Sequence, residues 1–228
     1  MKNLRKAVCA SFACVGLLLS LGATAQATLI TNGSFEDILG VYPGTAPYVT
    51  LDATSPIGIA GWSVVDGSID WINTYWKASD GTKSIDLAGY YQHGLIMGTS
   101  FNTAIGQTYR VQFDMAGNPD KPYSKSLVSI STGDALSTHT FTFEQTGHTK
   151  QNMGWVTEYF DFVAKSETAQ LFFGDVTNAL NPDEAWGAAL DNVRVDLVPV
   201  PEPSSLLLLG AGLAGIGAFR RRMRRLQG

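Results

Sequence analysis

Cysteine is almost absent from this chain of 228 residues, which contains only Cys9 and Cys14, both near the N-terminus. The remainder of the sequence therefore offers no disulfide, no Cys-ligated zinc and no cysteine nucleophile. Its stability has to come from a hydrophobic core, with or without a bound metal.

Long apolar runs are confined to the two ends of the chain. At the start, three basic residues precede an apolar stretch from Ala7 to Leu21, and the small residues that follow it are Ala23, Ala25 and Ala27. This order is typical of a secretory signal peptide, whereas the alternative, a buried N-terminal helix, does not require it. The pattern predicts that residues 1–27 are removed on export and that both cysteines are lost with them.

The second apolar run, Leu206 to Phe219, contains no charge and ends in a basic cluster made of Arg220, Arg221, Arg222, Arg224 and Arg225. A bilayer core needs about 20 apolar residues and at least about 17, so this run would cross only with help from its flanks. Basic residues beside a span stay in the cytoplasm. We expect a transmembrane helix with the domain outside; the alternative is an amphipathic or core helix with a solvated basic tail.

The C-terminal segment has three parts in a fixed order: Pro201-Glu202-Pro203, the apolar run and the arginine cluster. This arrangement resembles the PEP-CTERM sorting signal of Gram-negative bacteria that make extracellular polysaccharide. The resemblance implies that an exosortase, a membrane-embedded cysteine protease, recognises the tail and cuts near the Pro-Glu-Pro motif. The domain would then leave the inner membrane for the cell surface or matrix.

Basic residues are scarce between these two ends. Residues 28–199 contain eight Lys and Arg against nineteen Asp and Glu, a net charge of −11. Binding to nucleic acid or to anionic lipid depends on clustered Lys and Arg, so neither is an expected partner. Neutral glycans and divalent cations remain as candidates.

Helical periodicity is also missing from residues 28–199, while alternation with a period of two is common. Tyr109, Val111, Phe113 and Met115 alternate with polar residues, which predicts a strand with one buried face. Further strands are predicted in SLVSIS, HTFTFE, WVTEYFDFVA, AQLFFGDV and ALDNVRVDLV, with turns at Asp66-Gly67, Asp80-Gly81, Asn118-Pro119 and Asn181-Pro182. Many short strands at this spacing predict an all-β fold, a β-sandwich of jelly-roll type.

Six motifs carry a second resemblance: NGSFED from Asn32, GWSV from Gly61, IDWIN from Ile69, DGTKSIDLAG from Asp80, TYRVQFDMAGNP from Thr108 and WGAALDNVRV from Trp186. In this order they are similar to the DUF642 / choice-of-anchor C family. The family implies a galactose-binding-like jelly roll that binds glycan or cell wall without catalysis. The chain departs from the plant members in lacking cysteines and in a short region after GYYQHG.

A carbohydrate site needs flat aromatic faces and a few planar polar groups in a concave surface. The candidates for ligand binding are Trp71, Tyr75, Trp76, Tyr90, Tyr91 and Asn118, with Trp186, Asp70, Asn73, Gln92 and His93 as further aromatic or polar neighbours. The alternative for each tryptophan is a place in the core. In the pairs Tyr75-Trp76 and Tyr90-Tyr91, adjacent residues face opposite sides of a strand, so one of each pair should point outward.

Glu36 and Asp191 lie near opposite ends of the domain, where first and last strands could pair. Similar sugar-binding jelly rolls carry a structural calcium there, and carboxylates with carbonyl oxygens suit that ion. The two residues are therefore a candidate calcium site. In the alternative, Glu36 caps a turn or pairs with Arg194, and Asp191 begins a strand.

Two other functions compete with sugar binding. Asp66, Asp70, Asp80 and Asp86 are dense enough for the paired carboxylates of a glycoside hydrolase, but no hydrolase motif accompanies them, so we predict no catalytic residues. A structural matrix protein that reads no sugar is the other alternative. Buried tryptophans favour that alternative, and an exposed aromatic concavity favours the binder.

The sequence therefore predicts three segments: a signal peptide (1–27), one β-sandwich domain (28–199) and a sorting tail (200–228). The predicted partners are an exosortase, the inner membrane through the C-terminal helix, and a polysaccharide.

Overall fold

A computed structural model describes residues 28–42, 44–90, 92–177, 185–199 and 205–226. The predicted signal peptide, Pro201-Glu202-Pro203 and Tyr91 lie outside the described residues. Sixteen strands precede one helix: β1 Ile38–Leu39, β2 Tyr48–Asp52, β3 Gly58–Ile59, β4 Trp62–Asp66, β5 Ser68–Ile72, β6 Ser84–Asp86, β7 Ala88–Gly89, β8 Gln92–His93, β9 Leu95–Gly98, β10 Phe101–Asn102, β11 Thr108–Gly117, β12 Tyr123–Thr132, β13 Ala135–Glu144, β14 Val156–Val163, β15 Thr168–Asp175, β16 Ala188–Leu197 and α1 Ser205–Leu226.

The strands form two six-stranded antiparallel sheets. The front sheet has the order β14-β11-β16-β6-β5-β2, and the back sheet has the order β13-β12-β15-β9-β4 with β10 also paired to β15. Two short pairs, β1-β3 and β7-β8, lie outside them. The expectation of an all-β jelly-roll β-sandwich is confirmed, and each of the six predicted strands is present.

Aromatic side chains from both sheets meet in the core. On β11, Val111, Phe113 and Met115 are buried as the alternation predicts. Phe113 contacts Phe173 of β15 edge to face, with ring centroids 5.1 Å apart, and Trp62 of β4 lies 6.1 Å from the same ring. This contact packs the inner face of the front sheet against the back sheet. The outer face of the front sheet takes no part in it and carries polar side chains.

Alternation along β5 separates the two faces of the front sheet. Ile69 and Trp71 point into the core, whereas Asp70 points to the outer face. Thr50 of β2 is the register partner of Asp70 on one side, and Asp86 of β6 is its partner on the other. Three polar side chains are therefore aligned side by side across the outer face.

The helix α1 contains the apolar run and continues through the arginine cluster. Its large apolar side chains that the structure describes, among them Leu208, Leu213 and Phe219, are exposed, as are Arg220 and Arg221. Within the described residues, no helix combines the length and the apolar character that crossing a bilayer requires.

Candidate functional site

A cavity of about 240 Å³ opens on the outer face of the front sheet. Strands β2, β5 and β6 form its floor, and the segments after β5, after β7, after β11 and before β16 form its walls. It is lined by Tyr48, Thr50, Asp70, Ile72, Tyr75, Trp76, Asp86, Tyr90, Asn118, Ala185 and Trp186. The lining joins aromatic rings to a polar floor.

Asp70 lies in the middle of that floor. Thr50 Oγ1 donates to Asp70 Oδ1 at 2.5 Å, and this is the one hydrogen bond that the described residues give this carboxyl. Burial raises the pKa of Asp70 to about 6, because the single hydroxyl donor only partly offsets the loss of water. Asp70 therefore retains the capacity to accept further hydrogen bonds from a ligand.

Asp86, its neighbour on β6, is held on both oxygens. Its Oδ1 accepts N–H bonds from Ala88 (3.0 Å) and Gly187 (2.8 Å), and its Oδ2 accepts one from the Asn118 amide (2.8 Å). Burial raises the pKa of Asp86 well above its ordinary value, and the adjacent Asp70 raises it further, while the Ala88 and Asn118 donors lower it. The Asp86 carboxyl therefore holds Ala88, Gly187 and Asn118 in position.

Trp186 depends on that positioning. A Cβ on Gly187 would lie 2.7 Å from Asp86 Oδ1 and 2.6 Å from the Ala88 nitrogen, so only glycine allows this close approach. The next residue, Ala188, donates its N–H to Asp175 Oδ1 at 3.0 Å. Two buried carboxyls thus fix the backbone that presents the Trp186 ring, which is 37% exposed, to the cavity.

Asp175 in turn contacts His93. His93 Nδ1 is bonded to Asp175 Oδ2, and the ring is only partly accessible. Burial raises the pKa of Asp175, and the hydroxyl of Thr177 and the charge of His93 act in the opposite direction. His93, which the sequence suggested as a polar neighbour of the ligand, therefore supports the segment behind Trp186 and is not among the residues lining the cavity.

The aromatic wall is built from rings in mutual contact. Tyr75 contacts Tyr48 edge to face at 5.4 Å and lies 5.7 Å from Trp76. Trp76 is 4% exposed, and its indole N–H donates to Ser84 Oγ at 2.8 Å, so its orientation is fixed. Tyr90 stands at the mouth with 66% of its surface exposed. Edge-to-face contact, as between Tyr75 and Tyr48, is a geometry that aromatic pairs prefer.

Two lysines lie beside these rings without lining the cavity. Lys150 Nζ is 3.6 Å from the centroid of the Tyr75 ring, and Lys121 Nζ is 4.5 Å from that of Trp186. Lys150 is also 3.8 Å from Asp120, whose carboxylate accepts the Tyr75 hydroxyl at 3.1 Å. These contacts hold the two rings in place from outside.

Most of the candidate ligand-binding residues from the sequence lie together here. Tyr75, Trp76, Tyr90 and Asn118 line the cavity together with Trp186. The expectation that Trp71 faces a ligand has to be corrected. Its indole is 3% exposed, because an inward position on β5 places it in the core, where its N–H donates to the Phe35 carbonyl at 2.8 Å.

Sequence reasoning missed Tyr48 and Thr50. Both lie on β2, a strand of only five residues. The alternation Tyr48, Thr50, Asp52 places all three side chains on one face, but it is too short by itself to distinguish a strand from a loop. Their pairing with Ile72, Asp70 and Ser68 of β5 follows from the register and has no local signal.

The calcium prediction for Glu36 and Asp191 does not fit the geometry. Glu36 Oε1 accepts the N–H groups of Thr82 (2.5 Å) and Lys83 (2.7 Å), and Asp191 Oδ2 accepts those of Ser79 and Asp80, both at 2.8 Å. These donors direct hydrogen atoms at the positions that a cation would occupy. Within the described residues, no group of three His, Cys, Asp or Glu side chains could hold a metal ion.

Glu36 and Asp191 instead hold the loop 79–83 from its two sides. Glu36 makes the turn contact foreseen in the alternative interpretation, but with the backbone of this loop, whereas Arg194 bonds to Asn192. Burial raises the pKa of Asp191 to about 7, and its N–H donors lower it only in part. The two acids are structural in this arrangement.

Two family models match the chain. The first, "Protein of unknown function (DUF642)", matches residues 28–196, and the second, the PEP-CTERM protein-sorting motif, matches residues 199–222. The two matches confirm the resemblances drawn from the six motifs and from the three-part tail.

A curated relative is similar over part of the domain. Halomucin of Haloquadratum walsbyi is 32% identical over 136 residues, which are 54% of this chain and 2% of Halomucin. The match thus spans a small fraction of that much longer protein.

Solved structures resemble this chain at low sequence identity. An arabinose-bound α-L-arabinofuranosidase, MgGH51, is 12% identical with a TM-score of 0.51, covering 75% of this chain and 26% of that enzyme. TmCBM61, solved in complex with β-1,4-galactotriose, is 13% identical with a TM-score of 0.43, covering 76% of this chain and all of that domain. The xylan-binding CBM22-1 domain of Paenibacillus barcinonensis Xyn10C is 11% identical with a TM-score of 0.43 over 67% of this chain and 95% of that domain. The likeness to the arabinofuranosidase, at 12% identity, concerns the fold alone.

Proposed function

This chain belongs to the DUF642 family, and on that premise we propose that its β-sandwich, residues 28–199, is a non-catalytic carbohydrate-binding domain of an exported bacterial surface protein. The observation that carries the proposal is the cavity on the front sheet. It brings the exposed rings of Tyr90 and Trp186 within one concave surface with the acceptor Asp70 and the fixed amide of Asn118. Rings stack on sugar C–H surfaces, and planar polar groups bind hydroxyls.

A hydrolase is less well supported by the same geometry. Of the four acids considered for catalysis, Asp66 at the end of β4 and Asp80 in the loop 79–83 are exposed, and only Asp70 and Asp86 line the cavity. Both oxygens of Asp86 already accept N–H bonds, so neither is free for attack or for proton transfer. Glycoside hydrolysis needs two available carboxyl groups. Because the oxygens of Asp86 already accept hydrogen bonds, the geometry favours binding.

The alternative function is that of a structural matrix protein that recognises no specific sugar. Such a protein has no need for a cavity whose backbone is fixed by buried carboxyls, nor for exposed rings around it. The exposure of Trp186 and Tyr90 therefore favours the binding function.

The test is a binding measurement on the full chain, kept in a polyoxyethylene detergent that carries neither sugar nor amine. We expect saturable changes in tryptophan fluorescence with one class of polysaccharide. Trp186→Ala should weaken binding about tenfold, since a buried aromatic contact of this kind is worth at least about 1.4 kcal/mol. The control is Tyr159→Ala, which removes a comparably exposed ring of β14 outside the cavity.

Two results would count against the proposal. One is a folded protein that binds none of the neutral, acidic and amino polysaccharides tested, which would favour the matrix function. The other is equal weakening by Trp186→Ala and Tyr159→Ala, which would place binding outside this cavity.

For the tail, we propose that the matched PEP-CTERM segment directs export and that an exosortase cuts near Pro201-Glu202-Pro203. The helix α1, whose apolar run alone is short for a bilayer, would hold the domain at the inner membrane with help from its flanks, with the arginines cytoplasmic, until the cut releases the domain to the cell surface or matrix. Intact-mass measurement of the released protein should find residues 205–226 missing. Released protein that retains Arg220 to Arg225, or unchanged release of Glu202→Gln, contradicts this sequence of events.

A further inference from the structure

The charge inside the cavity has one sign. Among the described residues that line it, Asp70 and Asp86 are the ionisable acids and no Lys, Arg or His is present. The two carboxyls are register partners on β5 and β6, so they occupy neighbouring positions on one face. A neutral sugar leaves the repulsion between them in place, whereas a cationic group would offset it.

The walls favour the same kind of group. Five aromatic rings surround the two acids, those of Tyr48, Tyr75, Trp76, Tyr90 and Trp186. The face of an aromatic ring attracts cations because its quadrupole is negative there. Lys150 and Lys121 already lie over the Tyr75 and Trp186 rings, at 3.6 and 4.5 Å from their centroids, so these two rings attract a second cation less than the others do.

We infer that the cavity recognises a sugar unit bearing a free, protonated amine, so that the bound polysaccharide is an amino-sugar polymer rather than a neutral one. The inference rests on the proposed function and deepens it. The amine would lie against Asp70, which has one hydrogen-bond partner among the described residues, while the sugar ring packs on Trp186 and Tyr90. Asp86 supports the floor and keeps Asn118 in position.

Two further observations agree with this assignment. Burial raises the pKa of Asp70 to about 6, and burial together with the nearby Asp70 raises that of Asp86, so a cationic group beside these carboxyls would stabilise their ionised forms. The domain as a whole carries a net charge of −11 over residues 28–199, which would steer a polycation toward it.

The experiment uses three β-1,4-linked oligosaccharides of equal length that differ at one carbon. They carry a hydroxyl (cello-oligosaccharide), an acetamide (chitin oligosaccharide) or a free amine (chitosan oligosaccharide) at C2. Binding of each to the full chain is measured by calorimetry at about 0.15 M salt, where the Debye length is about 8 Å and distant charges are screened. We expect the amine to bind about tenfold more tightly than the hydroxyl.

The variant Asp70→Asn keeps the shape of the side chain and removes its charge. It should reduce the tenfold preference to about equal binding of the three oligosaccharides. The matched control is Asp134→Asn, which removes one charge from the exposed turn between β12 and β13 and should leave the preference intact. Circular dichroism confirms that each variant is folded.

Every other outcome overturns the inference. Equal binding of the three oligosaccharides, or binding only of other neutral polysaccharides, leaves the carbohydrate-binding proposal standing and rejects the amine. A preference that survives Asp70→Asn assigns the effect to the overall negative charge and not to the cavity. No binding of any saccharide rejects both proposals together.

Discussion

Two acids of one domain, Asp70 in the cavity and Glu36 beside the loop 79–83, differ in what their oxygens accept. Glu36 accepts two backbone N–H groups and the hydroxyl of Thr82, whereas Asp70 accepts one hydroxyl. Burial raises the pKa of Glu36, but the donors of Thr82 and Lys83 outweigh it and lower the pKa below 4.5. Burial prevails at Asp70, whose pKa rises to about 6.

The difference shows how to tell a structural acid from one available to a ligand. Backbone N–H groups satisfy a carboxylate permanently, because they belong to the loop that the carboxylate holds. An acid with one hydroxyl partner in a cavity keeps unused lone pairs. By this criterion Asp86 is a structural acid like Glu36, although it lies beside Asp70.

The largest expected effect is on stability, and it should differ between Asp86, which is buried, and Glu36, which is half-buried. Asp86→Ala leaves buried donors of Ala88, Gly187 and Asn118 without an acceptor, which should lower the free energy of unfolding by about 3 kcal/mol. Glu36→Ala removes a half-buried acceptor and should cost about 1 kcal/mol. Urea denaturation of the full-length variants measures both. Equal costs would mean that the network around Asp86 does not stabilise the site.

A smaller effect is a pH dependence of opposite sign at the two acids, worth about 2 kcal/mol at Asp70. The pKa of Asp70 rises from 3.8 to about 6 on folding, so between these values the native state binds more protons and stability falls as pH rises. Asp70→Asn should therefore gain stability relative to the wild type as pH increases through that window. The variant also removes the Asp70 charge that raises the pKa of Asp86, and this change acts in the same direction.

Glu36 should behave in the opposite way. Its pKa is lowered from 4.5 on folding, so its contribution to stability is present above 4.5 and is lost as pH falls. The deficit of Glu36→Gln relative to the wild type should be largest near neutral pH and should shrink in acid. Parallel pH profiles for Asp70→Asn and Glu36→Gln would contradict the contrast between the two environments.

The smallest effect tests the contact between Glu36 and its loop. Gly81 has a φ of +65°, and a Cβ there would lie 2.3 Å from Glu36 Oε1; Gly147 has a φ of +83° with nothing within 4 Å. Both alanine variants carry backbone strain of about 1 kcal/mol. Gly81→Ala should cost about 1 kcal/mol more in thermal or urea denaturation. A cost no greater than that of Gly147→Ala would argue against a tight fit of Glu36 in the loop.

The predictability of the fold varied along the chain. The long strands β11 to β16 were predicted from alternation, because one face of each packs into the core and selects apolar side chains. The short strands β2 and β6 were not, because three to five residues give too few periods to distinguish a strand from a loop. The candidate site depends on these short strands.

The aromatic residues illustrate the same limit. Trp71 and Trp76 are both buried and lie only five residues apart, yet Trp71 belongs to the core and Trp76 lines the cavity. Composition identifies them as large amphipathic rings and does not reveal which face of the sheet each one covers. The pair Tyr75-Trp76 lies in the segment after β5 and not on a strand, so the rule that adjacent residues face opposite sides does not apply, and both rings line the cavity.

The sequence by itself determined the sorting tail, the family and the β-sandwich, because each depends on residue order or on alternation along one segment. Only the tertiary structure decided the site. The register of β2, β5 and β6 aligned Thr50, Asp70 and Asp86, which are up to 36 positions apart in the chain. The N–H groups of loop 79–83 occupied the carboxylates that had predicted calcium. Both results come from contacts between distant segments, and such contacts leave no periodic trace in any one of them.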